Sequence, residues 1–444
     1  MKLRIDPLKV AKDESFEQDV LDRKDFGQSL LNLITKSENE LVISIDGQWG
    51  DGKSTFVQMW QGMLTDAEIP NIYIDAFASD YIDDPFLAVA SAITTYIDED
   101  NSKGNKKSDK FVQKAKEVGS RLLPWGTKIA VKAVTAGLIN GSDIEHLVTV
   151  KKDIANDLAT TTSDFVGKQL EAHKEDQKLF VAFKEELSNI TDGKKLVIII
   201  DELDRCKPTY ALGLLEKIKH LFSAENVFFV LVMHKQELEK SIKCIYGDID
   251  AHAYLQKFIH VQTTLPKKTD GLNNDLEKYA QYLFQSHNFE TWGHSQDLLG
   301  YVEQLAVHFQ LSLRQLEKVF TNLAIFYAAV DEKSFQDPTI VSFLAVMKVI
   351  DPSICQSLLF GEISYSQLCE KTGMIKSQGL SDWLADRIHY FTCSKEEYTQ
   401  LDVDHRIKQM QHLQYMNNNK GYICNLERSE IMPMLIRRMS LFTA

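Results

Sequence analysis

A glycine-rich run followed by lysine and serine has the clearest chemical potential in this sequence. Residues 47–54 read Gly-Gln-Trp-Gly-Asp-Gly-Lys-Ser, which is the spacing of a phosphate-binding loop. Its glycines let backbone N–H groups face a phosphate without a Cβ in the way, and the start of a following helix attracts anions. Lysine supplies positive charge to the β- and γ-phosphates, and the serine hydroxyl suits Mg²⁺. The run therefore predicts a site for a nucleotide and its metal ion.

The expected nucleotide ligands are the residues of this loop and of the helix start: Gly47, Gln48, Trp49, Gly50, Asp51, Gly52, Lys53, Ser54 and Thr55. Lys53 is expected to bridge the β- and γ-phosphates, and Ser54 to bind the metal ion. The alternative is a glycine-rich turn with no ligand. An apolar run before the loop and a helical pattern after it favour the phosphate loop, because that order of elements brings a helix N-terminus to the phosphates.

Two acids end another apolar run. Residues 195–202 read Lys-Leu-Val-Ile-Ile-Ile-Asp-Glu, a pattern typical of a buried strand. Asp201 is expected to hold Mg²⁺ through a bound water, and Glu202 to polarise an attacking water. Alone, such acids often lead only into a turn or a helix cap. Downstream of a phosphate loop, they indicate a catalytic site.

Two further side chains are candidates with an open alternative. His234 follows an apolar run at 227–233 and is either a nucleotide sensor or a surface histidine. Ser312 and Gln315 have the spacing of a capping box, which places Arg314 in the first turn of a helix. A cation there opposes the helix dipole unless it meets an anion. That anion is either a phosphate or a surface carboxylate.

Alternating short apolar runs and helical patterns predict the fold that must position these residues. Apolar runs fall at 41–46, 71–75, 195–201, 227–232 and 258–265. Helical patterns separate them, and this alternation predicts a parallel α/β sheet. After residue 266, apolar residues recur at helical spacing, so the remainder is expected to be helical.

The chain is expected to divide into four parts: 1–97, the first part of the sheet domain; 98–180, a basic and helical insertion; 181–265, the rest of the sheet domain; and 266–444, a helical C-terminal domain. Within the insertion, residues 101–140 hold nine Lys or Arg against two acids, a net charge of +7. Such a segment suits an anionic membrane surface or nucleic acid. The alternative is a solvated loop with an ordinary helix.

Composition excludes several broad classes. With 444 residues, 44% hydrophobic content and a net charge of −13, the chain is globular and does not coat nucleic acid over its whole surface. Its six cysteines include no Cys-x-x-Cys pair, which argues against a disulfide framework and a zinc ribbon. We expect no signal peptide and no transmembrane helix, hence a cytoplasmic protein, with peripheral membrane attachment through residues 101–140 as an addition.

Residues 47–54, together with Ile-Asp-Glu-Leu-Asp-Arg-Cys at 200–206, resemble the KAP family of P-loop NTPases. The tryptophan inside the loop and the Leu-Asp-Arg-Cys run are the specific points, and the resemblance covers about residues 15–330. It implies an additional-strand (ASCE) P-loop fold: a parallel sheet core, a long helical insertion between the two motifs and an all-helical C-terminal domain. It also implies that Asp204, Arg205 and Arg314 belong to the catalytic site. Departures from the family pattern are Asp75, Phe77 and His234.

By this resemblance, the chain is expected to bind and hydrolyse ATP with Mg²⁺ and so to switch its self-association or its binding to a partner protein. Relatives include bacterial phage-exclusion proteins, which implies a role in anti-phage defence or signalling. One alternative is a nucleotide-stabilised binding or scaffold module with little hydrolysis. Another is a nucleic-acid-dependent ATPase that grips its ligand through residues 101–140.

Overall fold

The computed structural model describes most of the chain outside the insertion: residues 2–5, 15–82, 85–100, 181–190, 193–221, 223–269, 274–289, 295–331, 334–374, 381–404, 406–411 and 427–442. The basic segment 101–140 lies outside the described residues. Its binding to membranes or nucleic acid therefore stays a prediction from the sequence.

A five-stranded parallel sheet forms the core of the first half of the molecule. Its strands are β1 (Val42–Asp46), β2 (Asn71–Asp75), β3 (Leu196–Asp201), β4 (Val227–Met233) and β5 (Val261–Thr264). Their order across the sheet is β2-β3-β4-β1-β5, and every neighbouring pair is parallel. Strand β4 lies between the strand that leads to the glycine loop and the strand that leads to the acids. This inserted strand confirms the predicted additional-strand fold.

The central strands are apolar throughout because both faces of the sheet are covered. Along β3, Ile198 and Ile200 pack into one apolar cluster, and Val197 and Ile199 pack into the other. Side chains of successive strand residues point to opposite faces, so a strand buried on both sides needs an unbroken aliphatic run. For this reason, the bounds of β3 and β4 could be predicted closely from the sequence.

The prediction for the fifth strand was too long. Residues 258–265 were expected to be extended, but only Val261–Thr264 form β5. Phe258 is buried in a turn, with its N–H donating to the carbonyl of Leu255 at the end of a short helix. Phe258 and Ile259 are apolar because they pack beside that helix. A short apolar run of this kind has the same sequence pattern as a buried strand.

Helices cover both faces of the sheet. They are α1 (Lys24–Lys36), α2 (Lys53–Asp66), α3 (Pro85–Asp100), α4 (Pro208–Ile218), α5 (Lys235–Tyr246) and α6 (Ala251–Leu255). Apolar side chains of α1 and α2 pack on one face, and those of α3 to α6 pack on the other. This arrangement leaves the carboxyl ends of the strands free to form a site, as is usual in doubly wound sheets.

The C-terminal region is helical, as predicted. Its described helices are α7 (Asp275–Ser286), α8 (Ser295–His308), α9 (Leu313–Ala329), α10 (Pro338–Ile350), α11 (Pro352–Phe360), α12 (Tyr365–Thr372), α13 (Asp382–Thr392), α14 (Lys395–Gln400) and α15 (Arg428–Ser440). They enclose an apolar core of their own, which contains no strand residue. Throughout the described parts, no helix combines the length and apolar content needed to cross a membrane.

Candidate nucleotide site

The glycine loop connects β1 directly to α2. Gly50 and Gly52 have φ angles of 87° and 80°, a region that side chains with a Cβ rarely adopt. Inside the loop, the N–H of Gln48 donates to Oδ2 of Asp51 at 2.6 Å, and the N–H of Asp51 donates back to the carbonyl of Gln48 at 3.2 Å. The loop is therefore folded on itself, and its last glycine leads into the N-terminus of α2.

Lys53 occupies the centre of the loop. Its ammonium donates to the carbonyl of Gly47 at 2.6 Å and to that of Gln48 at 3.1 Å. Burial lowers the pKa of Lys53, and the charges of Asp204 and Asp201 oppose that shift. A cation held over a loop of backbone groups at a helix N-terminus is suited to phosphate oxygens. Thr55 follows in the first turn of α2 and is half-buried.

Asp201 lies at the end of β3, fully buried, against the start of α2. Its carboxylate accepts hydrogen bonds from the hydroxyl of Tyr73 at 2.9 Å and from the N–H of Glu202 at 2.7 Å. Burial raises the pKa of Asp201, and the nearby hydroxyl groups of Ser54 and Tyr73 lower it. The two expected metal ligands, Ser54 and Asp201, thus lie close together, and both offer the oxygen donors that Mg²⁺ prefers.

Glu202 follows in a left-handed backbone conformation, with φ 59°. Its carboxylate forms an ion pair with Arg205, with 2.7 Å between Oε1 and the guanidinium. Burial raises the pKa of Glu202, while Arg205 lowers it and Asp201 raises it further. Glu202, the acid expected to activate water, therefore lies next to Asp201 and is paired with Arg205.

The loop tryptophan links three elements of the site. Nε1–H of Trp49 donates to Oδ2 of Asp204 at 2.5 Å, and its ring meets the ring of His234 edge-on, with centroids 5.7 Å apart. Asp204 is buried, whereas Trp49 is 46% exposed. Nδ1 of His234 has no hydrogen-bond partner among the described residues. His234 thus lies at the site, and its sensing role stays a prediction.

Arg314 belongs to the helical region but lies against the loop. Ser312 caps α9 in a complete capping box with Gln315, as the sequence predicts. A Cβ built on Gly50 would lie 2.8 Å from Cβ of Arg314 and 3.1 Å from Oγ of Ser312. The start of α9 is therefore packed on the glycine loop, and the role of Arg314 toward a phosphate stays a prediction.

Sequence reasoning missed three contributors to this site. Tyr73 hydrogen-bonds to Asp201 across the β2–β3 pair, and Arg23 donates to the carbonyl of Asp51 at 2.8 Å. Lys267 pairs with Oδ2 of Asp51 at 2.8 Å. The register of β2 beside β3 is a signal that could have indicated Tyr73. Arg23 and Lys267 are distant in sequence from the loop and follow no local pattern.

All the predicted site residues meet at the carboxyl edge of β1, β3 and β4. Among the described residues, no cluster of three or more His, Cys, Asp or Glu side chains could hold a metal ion by itself. A Mg²⁺ ion here would therefore depend on Ser54, Asp201, water and the phosphates of a nucleotide, which is the way this ion usually binds in nucleotide sites. The arrangement can hold a polyphosphate and its metal ion beside a carboxylate.

Comparison with known families shows which family the chain belongs to. A model of the KAP family P-loop domain matches residues 23–330, most of the sequence. The chain belongs to the KAP family of P-loop NTPases. The family prediction from residues 47–54 and 200–206 is confirmed, and the matched range includes every site residue described above.

Relatives of this KAP chain are distant. It is 22% identical over 353 residues to the phage T7 exclusion protein of Escherichia coli (strain K12), covering 74% of this chain and 44% of that protein. It is 34% identical over 125 residues to the uncharacterized protein MJ0182 of Methanocaldococcus jannaschii, covering 24% of this chain and 64% of that protein. The chain thus spans less than two thirds of either relative.

Among solved structures, the chain is similar to the ORC2 protein of Aeropyrum pernix, whose structure has ADPNP and ADP bound. The two are 12% identical with a TM-score of 0.35, covering 98% of this chain and 97% of that chain. A similarity at this level supports no argument about the activity of the KAP chain.

Proposed function

We propose that the chain binds ATP with Mg²⁺ at residues 47–55 and hydrolyses it. The observation that supports this most directly is the glycine loop itself, which holds the ammonium of Lys53 against the carbonyls of Gly47 and Gln48 at the start of α2. Burial raises the pKa of Asp201, at the end of β3, and Ser54 and Lys53 lie near enough to lower it, so the expected phosphate and metal ligands lie in one place. ATP is preferred over GTP because the sequence has no Asn-Lys-x-Asp guanine signature.

In this proposal, each side chain has a separate task. Lys53 and the N-terminus of α2 stabilise the phosphate charge, and Ser54 and Asp201 hold the metal ion, which neutralises charge developing on the phosphates. Glu202 orients the attacking water as a general base. Arg205 has to release or share Glu202 for that step, since the two are paired at 2.7 Å.

The proposed use of this cycle is a switch in self-association or in binding to a partner protein, in anti-phage defence or signalling. One observation supports a switch, and another supports a role in defence. The start of α9 is packed directly on the glycine loop, so a change in the loop reaches the helical region. The similarity to a phage exclusion protein supports defence, although the chain covers only 44% of that relative.

A second candidate function is a nucleotide-stabilised binding module with little hydrolysis. It is favoured by the partners of the two acids: Glu202 is paired with Arg205, and Asp204 accepts from Trp49. Glu202 is then held by Arg205, and Asp204 keeps only its buried Oδ1 without a hydrogen-bond partner among the described residues. A nucleic-acid-dependent ATPase rests on residues 101–140 alone and stays a prediction from the sequence.

Titration with a fluorescent ATP analogue tests the binding site. We expect Lys53→Ala to weaken binding by more than tenfold, because a buried cation is removed from the phosphates. Lys235→Ala is the matched control, since Lys235 begins α5 after β4 and bonds to Gln262 instead of to the loop. If Lys53→Ala binds within about threefold of wild type, roughly 0.7 kcal/mol, the phosphate site is wrong. Phosphate release with Mg²⁺ then separates the two candidate functions.

A further inference from the structure

An acidic side chain lies inside the glycine loop. Asp51 is buried, with its side chain 4% exposed, and Oδ2 accepts the N–H of Gln48 at 2.6 Å. A carboxylate at this place repels the negative charges of a polyphosphate bound to the same loop, and the repulsion is strong because little water screens it. The loop therefore needs a compensating cation.

Lys267 provides that cation from another part of the chain. Its ammonium lies 2.8 Å from Oδ2 of Asp51. Lys267 follows β5 in the segment that leads to the helical region. The neighbouring residue, Lys268, is exposed to a similar extent, 45% against 43%, but pairs with Asp22 at 3.5 Å. Only the first of these two adjacent lysines neutralises the loop.

The main chain of Asp51 is held by a second cation. Its carbonyl accepts a hydrogen bond from the buried guanidinium of Arg23 at 2.8 Å, and the same guanidinium lies 3.9 Å from Asp275 at the start of α7. Both groups of Asp51 are thus connected to the passage from β5 to the helical region. That passage and the loop share one electrostatic network.

We propose that Lys267 is a positioning residue of the nucleotide site, which acts through Asp51: it neutralises the loop carboxylate and so sets the affinity for nucleotide phosphates. The inference rests on the proposed function. By reciprocity of binding free energies, a bound nucleotide also strengthens the attachment of the segment around Lys267 to the loop. The passage to the helical region is then held more tightly when the loop is filled.

Titration with a fluorescent ATP analogue and Mg²⁺ at low salt tests the proposal. Lys267→Met is expected to weaken binding about tenfold, because the carboxylate of Asp51 loses its ion-pair partner beside the phosphates. Lys267→Arg, which keeps the charge, should bind like wild type. Lys268→Met is the matched control and should stay within about twofold of wild type. The temperature of thermal unfolding without nucleotide should be lowest for Lys267→Met, because the buried carboxylate of Asp51 loses its partner, so binding is measured at a temperature at which all three variants are folded.

The Asp51→Asn background shows whether Lys267 acts through Asp51. The affinity of Asp51→Asn alone is the reference here, and adding Lys267→Met to it should change that affinity by less than about twofold. Two results would overturn the inference: Lys267→Met binding like Lys268→Met, or the same loss in both backgrounds, which would mean direct contact with the nucleotide. A wild-type chain that binds no analogue would overturn the proposed function and this inference together.

Discussion

The acidic residues after β3 differ in their partners, and this difference determines what each can do. Asp201 accepts from the hydroxyl of Tyr73 and the N–H of Glu202, Glu202 pairs with Arg205, and Asp204 accepts from Trp49. Asp201 is fully buried and, in the proposed function, holds the metal ion, so it is unsuited to take a proton from water. The choice of general base is therefore between the other two acids.

Glu202→Gln should keep nucleotide binding and reduce hydrolysis by about a hundredfold or more, because the amide preserves shape but cannot accept the proton. Phosphate release and analogue binding, measured on the same preparation, check both halves of this expectation. If Asp204→Asn stops turnover and Glu202→Gln does not, the base is Asp204. In that case Oδ1 of Asp204, which has no hydrogen-bond partner among the described residues, would take the proton while Trp49 keeps its bond to Oδ2.

At the residue scale, the sequence predicted what is local. Residues 47–55 are consecutive, so their types and spacing were sufficient to predict a phosphate-binding loop. Asp201 and Glu202 end a strand whose aliphatic run is unmistakable. Tyr73 and Lys267 could not be predicted, because their importance comes from a strand register and from an ion pair between residues far apart in the chain.

Among the elements, the start of α9 packs closely on the glycine loop. The capping box of α9 was predicted from the sequence, since it needs only residues three apart. Its packing on Gly50 was not, because no periodicity relates a helix start to a loop more than two hundred residues earlier. The same limit applied to β5, whose ends depend on the neighbouring helix.

Gly50→Ala should be more harmful than Gly193→Ala. Both glycines have similar positive φ angles, 87° and 81°, and an alanine at such angles costs about 1–2 kcal/mol. Gly193 has nothing within 4 Å of an added Cβ, whereas Gly50 has Arg314 at 2.8 Å. The difference between the two variants therefore measures the displacement of α9. Denaturant unfolding and analogue binding should both reveal it, and equal losses would argue against tight packing there.

The end of α7 should make the stability of the chain sensitive to acid. His287 is buried, its Nδ1 lies 2.6 Å from the carbonyl of Lys2, and burial lowers its pKa. Because the unfolded chain binds the proton more readily, this contribution is complete above about pH 6.5 and is lost as the pH falls below that value.

His287→Gln removes the titrating group and keeps an N–H donor. The difference in unfolding free energy between wild type and this variant should shrink as the pH is lowered from about 7 to 5, which denaturant titrations at several pH values would measure. A difference that is constant across this range would mean that the pKa of His287 is the same in the folded and unfolded states.

Charge is distributed unevenly over the whole molecule. The chain carries a net charge of −13, but residues 101–140 carry +7. We expect deletion of residues 101–140 to abolish binding to anionic vesicles or to nucleic acid at about 50 mM salt, since both interactions depend on counterions. Binding of the ATP analogue should be unchanged, because the deletion spares both motif strands. If the intact chain binds neither ligand, the segment is a solvated loop or a protein contact.

During synthesis, β1 leaves the ribosome long before either of its neighbours in the sheet. It pairs with β4 and β5, and β2 pairs with β3 alone. At about 5–20 residues per second, the roughly 190 residues between β1 and β4 take about 10–40 s to appear. In that interval both edges of β1 are unpaired and its aliphatic side chains are uncovered. We therefore expect the nascent chain to be prone to aggregation and to bind chaperones. The loop after β1 cannot take its final shape until the start of α9, which packs on Gly50, has been added.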